Sequence, residues 1–111
     1  MVSNDKDIKE KVAVVTGSSS GIGLETALTL ARNGFLTYST MRNLAKSDNI
    51  KAVADKDHLP IRIVQLDVTD DTSVNHAVQS IIKDTGRIDI LVNNAGYALS
   101  GAFEDLSLEE I

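Results

Sequence analysis

A glycine- and serine-rich turn near the amino end of the chain has the residue types needed to bind a phosphate group. The stretch reads Val12-Ala13-Val14-Val15-Thr16-Gly17-Ser18-Ser19-Ser20-Gly21-Ile22-Gly23-Leu24. The valine-rich run predicts a buried strand, and the apolar residues after the turn recur at helical spacing. A strand that ends in glycines and leads into a helix directs unpaired N–H groups and the positive end of the helix dipole at one point. Glycines can also be purely structural in such a turn, but a strand before it and a helix after it favour the binding interpretation.

Two further sets of polar residues follow predicted strands. Asp67 comes after the third apolar run, and Asn93-Asn94 comes after the fourth. In a parallel sheet these strand ends lie along one edge together with the glycine turn, which is where α/β proteins bind ligands. Two alternatives stay open. Asp67 can serve as a turn residue ahead of a helix cap at Asp70, and the asparagines can form an ordinary turn that ends a strand.

Other reactive residue types form no recognisable catalytic or metal-binding pattern. His58 and His76 are isolated, one in a polar loop and one on a predicted helix, and we interpret both as solvated side chains. No cluster of ligands suggests a metal ion. The three consecutive serines of the turn lack a histidine base in a hydrolase-like arrangement.

Strands and helices alternate along the chain. Strands are predicted over residues 12–15, 35–41, 61–68 and 88–92, with helices over 24–32, about 45–56 and 70–85. Apolar strands that alternate with helices are typical of a parallel sheet with helices on both faces. With right-handed crossovers, the order predicts an α/β fold, namely a Rossmann-like half with four strands in the order 3-2-1-4.

The first and third predicted helices carry the clearest apolar faces. Their members are Leu24, Ala27, Leu28 and Ala31 in the first, and Val74, Ala77, Val78, Ile81 and Ile82 in the third. Gly34 offers the left-handed residue that ends the first helix, and Asp70 offers an N-cap for the third. Ser107 and Glu110 form a capping box, which predicts the start of another helix.

Composition excludes several classes of protein. The 111 residues, 42% of them hydrophobic, suffice for one small domain with one core. A net charge of −5 argues against nucleic-acid binding, which needs a basic face. The absence of cysteine excludes disulfides and thiolate chemistry. No apolar run is long enough to span a membrane, and residues 1–11 lack the apolar core of a signal peptide, so we expect a cytoplasmic location.

Taken together, three motifs resemble those of the short-chain dehydrogenase/reductase family. They are Thr16-Gly17-Ser18-Ser19-Ser20-Gly21-Ile22-Gly23, then Asp67-Val68, then Asn93-Asn94-Ala95-Gly96. They occur in the family's order and at similar separations, and the likeness runs from about Lys11 to the last residue. The run Tyr38-Ser39-Thr40-Met41-Arg42-Asn43 is similar to hydroxysteroid- and retinol-type members.

The resemblance implies a binding site for a nicotinamide dinucleotide. The residues implied to hold its pyrophosphate and adenosine ribose are Gly17, Ser19, Ser20, Gly21, Ile22 and Gly23. Asp67 would accept a hydrogen bond from the adenine amino group, and the Val68 N–H would bond an adenine nitrogen. Along the cofactor's ribose would lie Asn93, Ala95 and Gly96. Asn94 would mainly tie the central strands together.

Arg42 indicates which dinucleotide is bound. In NAD-binding proteins an acidic residue usually ends the second strand and bonds the ribose 2′-hydroxyl, whereas here Met41 and Arg42 occupy that place. A guanidinium can clamp a 2′-phosphate bidentately. A hydrogen bond to a charged group contributes about 1.5–3 kcal/mol, or one to two orders of magnitude in affinity. We therefore expect NADP(H) rather than NAD, with Ser19 as a second phosphate contact; a solvated loop charge at Arg42 is the alternative.

The family's catalytic residues are not found in this sequence. The resemblance implies an Asn, a Ser and a Tyr-x-x-x-Lys, but Tyr38 is followed by Arg42 and Tyr97 by Gly101 at the lysine spacing. The chain is thus expected to be the amino-terminal part of an oxidoreductase acting on a small alcohol or carbonyl compound, inactive by itself. The alternatives are a non-catalytic dinucleotide-binding or redox-sensing module, and an isolated fragment that serves as an assembly unit.

Two further expectations follow from the predicted sheet. The fourth strand would expose an apolar edge, and such an edge recruits another chain, so a homodimer or larger assembly is expected. Tyr97, Ser100 and Phe103 either border a substrate pocket or form a structural loop.

Overall fold

The computed structural model describes residues 10–94 of the chain. The strands are β1 (Val12–Val15), β2 (Leu36–Met41), β3 (Ile61–Gln65) and β4 (Ile90–Val92). The α-helices are α1 (Gly21–Arg32), α2 (Asp48–Asp57) and α3 (Asp71–Thr85), and a 3₁₀ turn covers Leu44–Lys46. The predictions for Ala95, Gly96, Tyr97, Ser100, Phe103 and the Ser107–Glu110 capping box lie outside the described residues.

The four strands form one parallel sheet in the order β3-β2-β1-β4. In the register, Val15 of β1 is opposite Ser39 of β2 on one side and Val92 of β4 on the other. This arrangement confirms the predicted α/β class and the Rossmann-like strand order. Since all strands run the same way, the glycine turn and the residues after β2, β3 and β4 share one edge of the sheet.

Apolar side chains form two separate cores, not the one core that the chain length predicts, because helices cover both faces of the sheet. One core joins Val12, Val14 and Tyr38 of the sheet to Val74, Ala77, Val78 and Ile81 of α3. The other joins Val15 and Met41 to Ala27 and Leu28 of α1 and to Ile50 of α2. Alternate residues of β1 point to opposite faces, so this completely buried strand contributes to both cores. The predicted apolar faces of the first and third helices are therefore the faces that cover the sheet.

Several elements are shorter than the sequence pattern predicts, because local hydrogen bonds end them. The third strand ends at Gln65 rather than residue 68, since Asp67 and Asp70 close a turn between the Asp67 carbonyl and the Asp70 N–H at 3.0 Å. The predicted helix over 45–56 is split, because the Ser47 hydroxyl bonds the Leu44 carbonyl at 2.7 Å and ends a 3₁₀ turn before α2 begins.

Polar caps fix the ends of α3 as the sequence predicts. Asp70 Oδ1 accepts hydrogen bonds from the N–H groups of Thr72 at 3.0 Å and Ser73 at 3.3 Å. Gly86 ends the helix in the left-handed conformation with φ 77°. Gly34 likewise has φ 92° after α1, as predicted.

An ion pair holds the start of β4 against β1. Arg87 bonds both carboxylate oxygens of Asp89, through Nε at 2.9 Å and Nη2 at 2.7 Å. Asp89 Oδ2 also accepts the Val12 N–H at 2.7 Å, and the Asp89 N–H donates to the Val12 carbonyl at 2.8 Å. We call Arg87 and Asp89 the β4 clamp. It fixes the position of the strand that carries Asn93 and Asn94.

Candidate functional site

The glycine turn adopts a conformation that requires glycine at two positions. Gly17 and Gly21 have φ angles of 62° and 60°, in the region that side chains disfavour. Gly23 is needed for a different reason. A Cβ atom there would overlap the Gly17 carbonyl oxygen and lie 2.7 Å from Asn94 Nδ2. Gly23 thus allows the first turn of α1 to pack directly against the loop that leads into it.

The amino end of α1 presents backbone donors that have no acceptor among residues 10–94. The first intrahelical bond runs from the Leu24 N–H to the Ser20 carbonyl at 3.3 Å. Ser20 is the N-cap residue, yet its hydroxyl makes no capping bond. Within residues 10–94, the N–H groups of Gly21, Ile22 and Gly23 therefore have no protein acceptor. Free amides at the positive end of a 12-residue helix are the kind of group that an anion would bond.

The three serines of the turn occupy different environments. Ser18 is completely buried and bonds backbone carbonyls, whereas Ser19 is half-buried and Ser20 is exposed. Ile22 beside them is 78% exposed, which places apolar surface next to the free amides. Ser19, Ser20 and Ile22 are accordingly open to a ligand, and Ser18 is not.

The asparagines after β4 contact the turn and the strand before it. Asn94 Nδ2 donates to the Gly17 carbonyl oxygen at 3.0 Å, and Asn93 Oδ1 accepts a bond from Thr16 Oγ1 at 3.2 Å. The Thr16 N–H also donates to the Val92 carbonyl at 3.0 Å. The side chains after β4 thus join the carboxyl ends of β4 and β1, and the family resemblance implies such a tying role for Asn94.

Asp67 forms a turn and also faces a groove. Its Oδ1 accepts bonds from the Thr69 hydroxyl at 2.7 Å and the Thr69 N–H at 3.0 Å. The Thr69 hydroxyl, then the Thr69 N–H, holds the pKa of Asp67 below its usual value, and the Arg42 guanidinium acts in the same direction. Asp67 is therefore ionised at neutral pH, and both of its carboxylate oxygens are acceptors. The turn interpretation and the ligand interpretation of this residue are compatible.

Arg42 lies at the same groove as Asp67. The groove is lined by Arg42, Gln65, Asp67, Asp70, Thr72, Ser73 and His76. Gln65 Nε2 donates to the Arg42 carbonyl at 3.1 Å, which holds its backbone while the side chain stays exposed. Val68, also predicted for the site, is half-buried and packs against the α3 core. The groove contains both acidic and basic groups, so it suits a ligand with a donor at one end and a negative charge at the other.

The predicted site residues within 10–94 form two clusters along one edge of the sheet. One is the turn with its free amides and the asparagines after β4; the other is the Arg42–Asp67 groove after β2 and β3. Sequence reasoning omitted Ser18, which links the two clusters. The sequence feature that could have indicated this role is Ser39, a serine on a strand predicted to be buried, because a buried hydroxyl needs a hydrogen-bond partner.

In the described part of the chain no group of three or more acidic or histidine side chains could hold a metal ion. None of the helices described there is long and apolar enough to cross a membrane.

Known proteins share both the sequence and the fold. Residues 11–111 match the family model for short chain dehydrogenases. The chain is 38% identical over 104 residues to a 3-ketodihydrosphingosine reductase of Bacteroides thetaiotaomicron, covering 94% of this chain and 35% of that protein. It is 40% identical over 102 residues to human retinol dehydrogenase 8, covering 88% of this chain and 32% of that protein.

Solved structures give the same result. A metagenomic short-chain oxidoreductase in complex with NADP aligns with a TM-score of 0.74 and 29% identity, over 81% of this chain and 41% of that one. A variant of actinorhodin polyketide ketoreductase with NADPH aligns with a TM-score of 0.73 and 30% identity, over 79% and 34% of the two chains. This chain spans about a third of the length of the two curated relatives. It belongs to the short-chain dehydrogenase/reductase family of oxidoreductases.

Proposed function

We propose that this chain is the cofactor-binding part of an NADP(H)-dependent oxidoreductase that interconverts an alcohol and a carbonyl group. Residues 1–111 would then be one NAD(P)-binding domain. The observation that carries the proposal is that free helix amides and the Arg42–Asp67 groove lie along the same sheet edge. The two solved relatives that contain NADPH or NADP support the choice of cofactor.

The turn is proposed to hold the cofactor's pyrophosphate and adenosine ribose. The residues assigned to this role are Gly17, Ser19, Ser20, Gly21, Ile22 and Gly23. Three of them supply N–H groups without an acceptor in the part of the chain that the structure describes, and Gly23 leaves the space that a Cβ would fill. Because the turn itself contains no lysine or arginine, binding there depends on amide dipoles rather than on cations.

The groove is proposed to hold the adenine and the 2′-phosphate. Asp67 accepts a bond from the adenine amino group, the Val68 N–H bonds a ring nitrogen, and Arg42 with Ser19 contacts the 2′-phosphate. The lowered pKa of Asp67 keeps it an acceptor at neutral pH. Arg42 is exposed and backed by Gln65, so its guanidinium can turn toward an added anion at little cost.

The reaction itself needs groups beyond this binding surface. When bound, NADP(H) supplies or accepts the hydride. Asn93, Ala95 and Gly96 are proposed to lie along the cofactor's ribose. The 111 residues contain no Tyr-x-x-x-Lys pair, so we propose that the chain binds the dinucleotide and does not turn over substrate alone.

Replacing Arg42 with alanine tests the cofactor assignment. The wild-type chain should bind NADPH more tightly than NADH. Arg42→Ala should weaken NADPH binding by about one to two orders of magnitude, because it removes charge-assisted hydrogen bonds to the 2′-phosphate. NADH affinity should stay within about twofold, because NADH has an uncharged 2′-hydroxyl in place of the 2′-phosphate. Isothermal titration calorimetry at fixed ionic strength measures both affinities.

Arg32→Ala is the matched control for this experiment. It makes the same change of charge at the far end of α1, where Arg32 pairs with Asp57 at 2.9 Å on the surface. It should leave both affinities unchanged. Equal binding of NADPH and NADH by the wild type would overturn the NADP(H) assignment, and no binding of either would overturn the proposed function as a whole.

A further inference from the structure

We infer that the buried Ser18–Ser39 hydroxyl pair is a positioning device that fixes Arg42 relative to the glycine turn, and thereby contributes to the preference for a 2′-phosphate. This inference rests on the proposed function. It adds to that function two residues that contact no part of the cofactor.

Ser18 joins the turn to β2 through both its backbone and its side chain. Its N–H donates to the Thr40 carbonyl at 3.1 Å, and its Oγ lies 3.1 Å from the Val15 carbonyl and 3.2 Å from the Thr40 carbonyl. The Oγ also forms a hydrogen bond with Ser39 Oγ. Ser18, Ser39 and Thr40 are completely buried, so water does not compete for these bonds.

Two arrangements of protons satisfy every group in this cluster, and they differ only in which carbonyl the Ser18 hydroxyl bonds. Carbonyl oxygens only accept, so the Ser18 hydroxyl donates to the Val15 or the Thr40 carbonyl. The Ser39 hydroxyl, whose side-chain partner within residues 10–94 is Ser18, then donates to Ser18 Oγ. Thr40 Oγ1 donates to the Val15 carbonyl at 3.3 Å. These hydroxyls form a continuous connection from the end of β1 through the turn to β2.

The connection reaches β2 immediately before Arg42. Ser39 and Thr40 are the third and second residues ahead of Arg42, and β2 ends at Met41. The Leu66 N–H bonds the Met41 carbonyl at 2.9 Å, so the strand end is held from β3 as well. A shift of the strand end against the turn would therefore move the Arg42 backbone directly. Hydrogen bonds weaken steeply outside a narrow range of distance and angle.

The Ser18–Ser39 pair affects selectivity because it connects the two regions of the protein that are proposed to bind two phosphate groups of one ligand. The turn is proposed to hold the pyrophosphate and Arg42 the 2′-phosphate, and both belong to the same nucleotide. The guanidinium can form bidentate bonds only if its distance from the turn matches the distance between the two phosphate groups. NADH lacks the 2′-phosphate, so its binding does not depend on the distance between Arg42 and the turn.

The test measures the ratio of NADH to NADPH dissociation constants for Ser18→Ala and for Ser39→Ala. Each variant should lower the NADPH preference by about threefold to tenfold, the effect of one displaced hydrogen bond. Ser18→Ala leaves the buried Ser39 hydroxyl without its side-chain partner within residues 10–94, so it should lower stability. Ser39→Ala leaves the Ser18 hydroxyl bonded to the Val15 or the Thr40 carbonyl, so it should lower stability less. The double variant S18A/S39A removes both hydroxyls together, so it should fold better than Ser18→Ala while still showing the lowered preference.

Thr37→Val is the matched control. It removes a buried hydroxyl from the opposite end of the same strand, where Thr37 Oγ1 donates to the Phe35 carbonyl at 3.0 Å. It should change the free energy of unfolding without changing the ratio of NADH to NADPH dissociation constants. This result would separate the positioning of Arg42 from a general loss of stability. If the wild type prefers NADPH and all three serine variants keep that preference, this inference is wrong but the proposed function is not affected. A wild type with no preference would overturn the NADP(H) assignment, and the inference with it.

Discussion

Steric fit at single residues decides whether the anion site can form. Gly23 is the clearest case, because two opposing effects act on it. Alanine is favoured over glycine inside a helix by about 1 kcal/mol. Against this, a Cβ at Gly23 would overlap the Gly17 carbonyl oxygen and press on the Asn94 amide. The contact is with backbone, which cannot move without displacing the turn, so the steric effect is larger.

We therefore expect Gly23→Ala to destabilise the fold and abolish dinucleotide binding. The cost should be about 1–3 kcal/mol, the usual range for overpacking. Gly34→Ala is the control, because Gly34 has a positive φ of 92° but open space around its Cβ position. It should lower stability by about 1 kcal/mol and leave binding intact. Urea unfolding and NADPH titration measure the two effects; unchanged binding by Gly23→Ala would contradict the role assigned to the close contact.

Residue types predict part of this site, and the register of the sheet supplies the rest. The glycine spacing indicated the turn, and Arg42 and Asp67 were recognisable by their places after strands. Ser18 was not, because a serine between glycines looks like an exposed turn residue. Its role depends on the pairing of Val15 with Ser39, which brings a second hydroxyl beneath the turn. No local pattern specifies that pairing.

At the scale of elements, the β4 clamp fixes the shortest strand of the sheet. β4 has three residues, and its pairing with β1 is extended by the bonds from Asp89 to both polar groups of Val12. The Arg87 side chain, by its hydrogen bonds, is the main cause that lowers the pKa of Asp89, with the Val12 N–H acting in the same direction. Val12 is 1% exposed, so its N–H depends on that carboxylate.

Asp89→Ala should lower stability at pH 7 by about 1–3 kcal/mol, because it leaves a buried N–H without an acceptor. A carboxyl group whose pKa is depressed on folding stabilises the fold above its unfolded pKa of about 3.9, and the effect is lost as pH falls through the folded pKa. The difference in the free energy of unfolding between the wild type and Asp89→Ala should therefore become smaller below about pH 4. Urea unfolding at a series of pH values measures it.

Asp57→Ala is the comparison for the clamp. Asp57 forms a surface ion pair with Arg32, and such pairs contribute about 0–1 kcal/mol. It should change stability at pH 7 less than Asp89→Ala does. If the two variants behave alike, the clamp contributes no more than an ordinary surface pair.

The order of elements could be predicted because periodicity is set by burial. Strand β1, covered on both faces, is apolar throughout, and helices covered on one face are apolar at every third or fourth residue. The ends of elements were predicted less well, since they depend on individual hydrogen bonds. The turn from the Asp67 carbonyl to the Asp70 N–H ended β3 before the apolar pattern did, and the bond from the Ser47 hydroxyl to the Leu44 carbonyl split the second predicted helix.

For the whole molecule, the sheet leaves β4 at an edge of the described structure. Among residues 10–94, β4 pairs with β1 and no other described strand lies beside it. Ile90, Leu91 and Val92 are half-buried, so this edge is apolar as well as unpaired there. An apolar edge of this kind pairs with another strand when one is available.

We expect this chain to form a homodimer or larger assembly in solution through that edge. Size-exclusion chromatography with light scattering, over a range of concentrations, measures the mass directly. The mass should be at least twice the 11.9 kDa of one chain. A monodisperse monomer at all concentrations would contradict the expectation.

The absence of cations from the glycine turn has a consequence for how binding depends on ionic strength. Residues 16–24 contain no lysine or arginine, so the pyrophosphate would be held by amide dipoles that act only at short range. Salt screens charges over distances of about 8–10 Å and has little effect on such contacts. Arg42 would then carry most of the long-range attraction. Cofactor choice and salt sensitivity would thus depend on the same side chain.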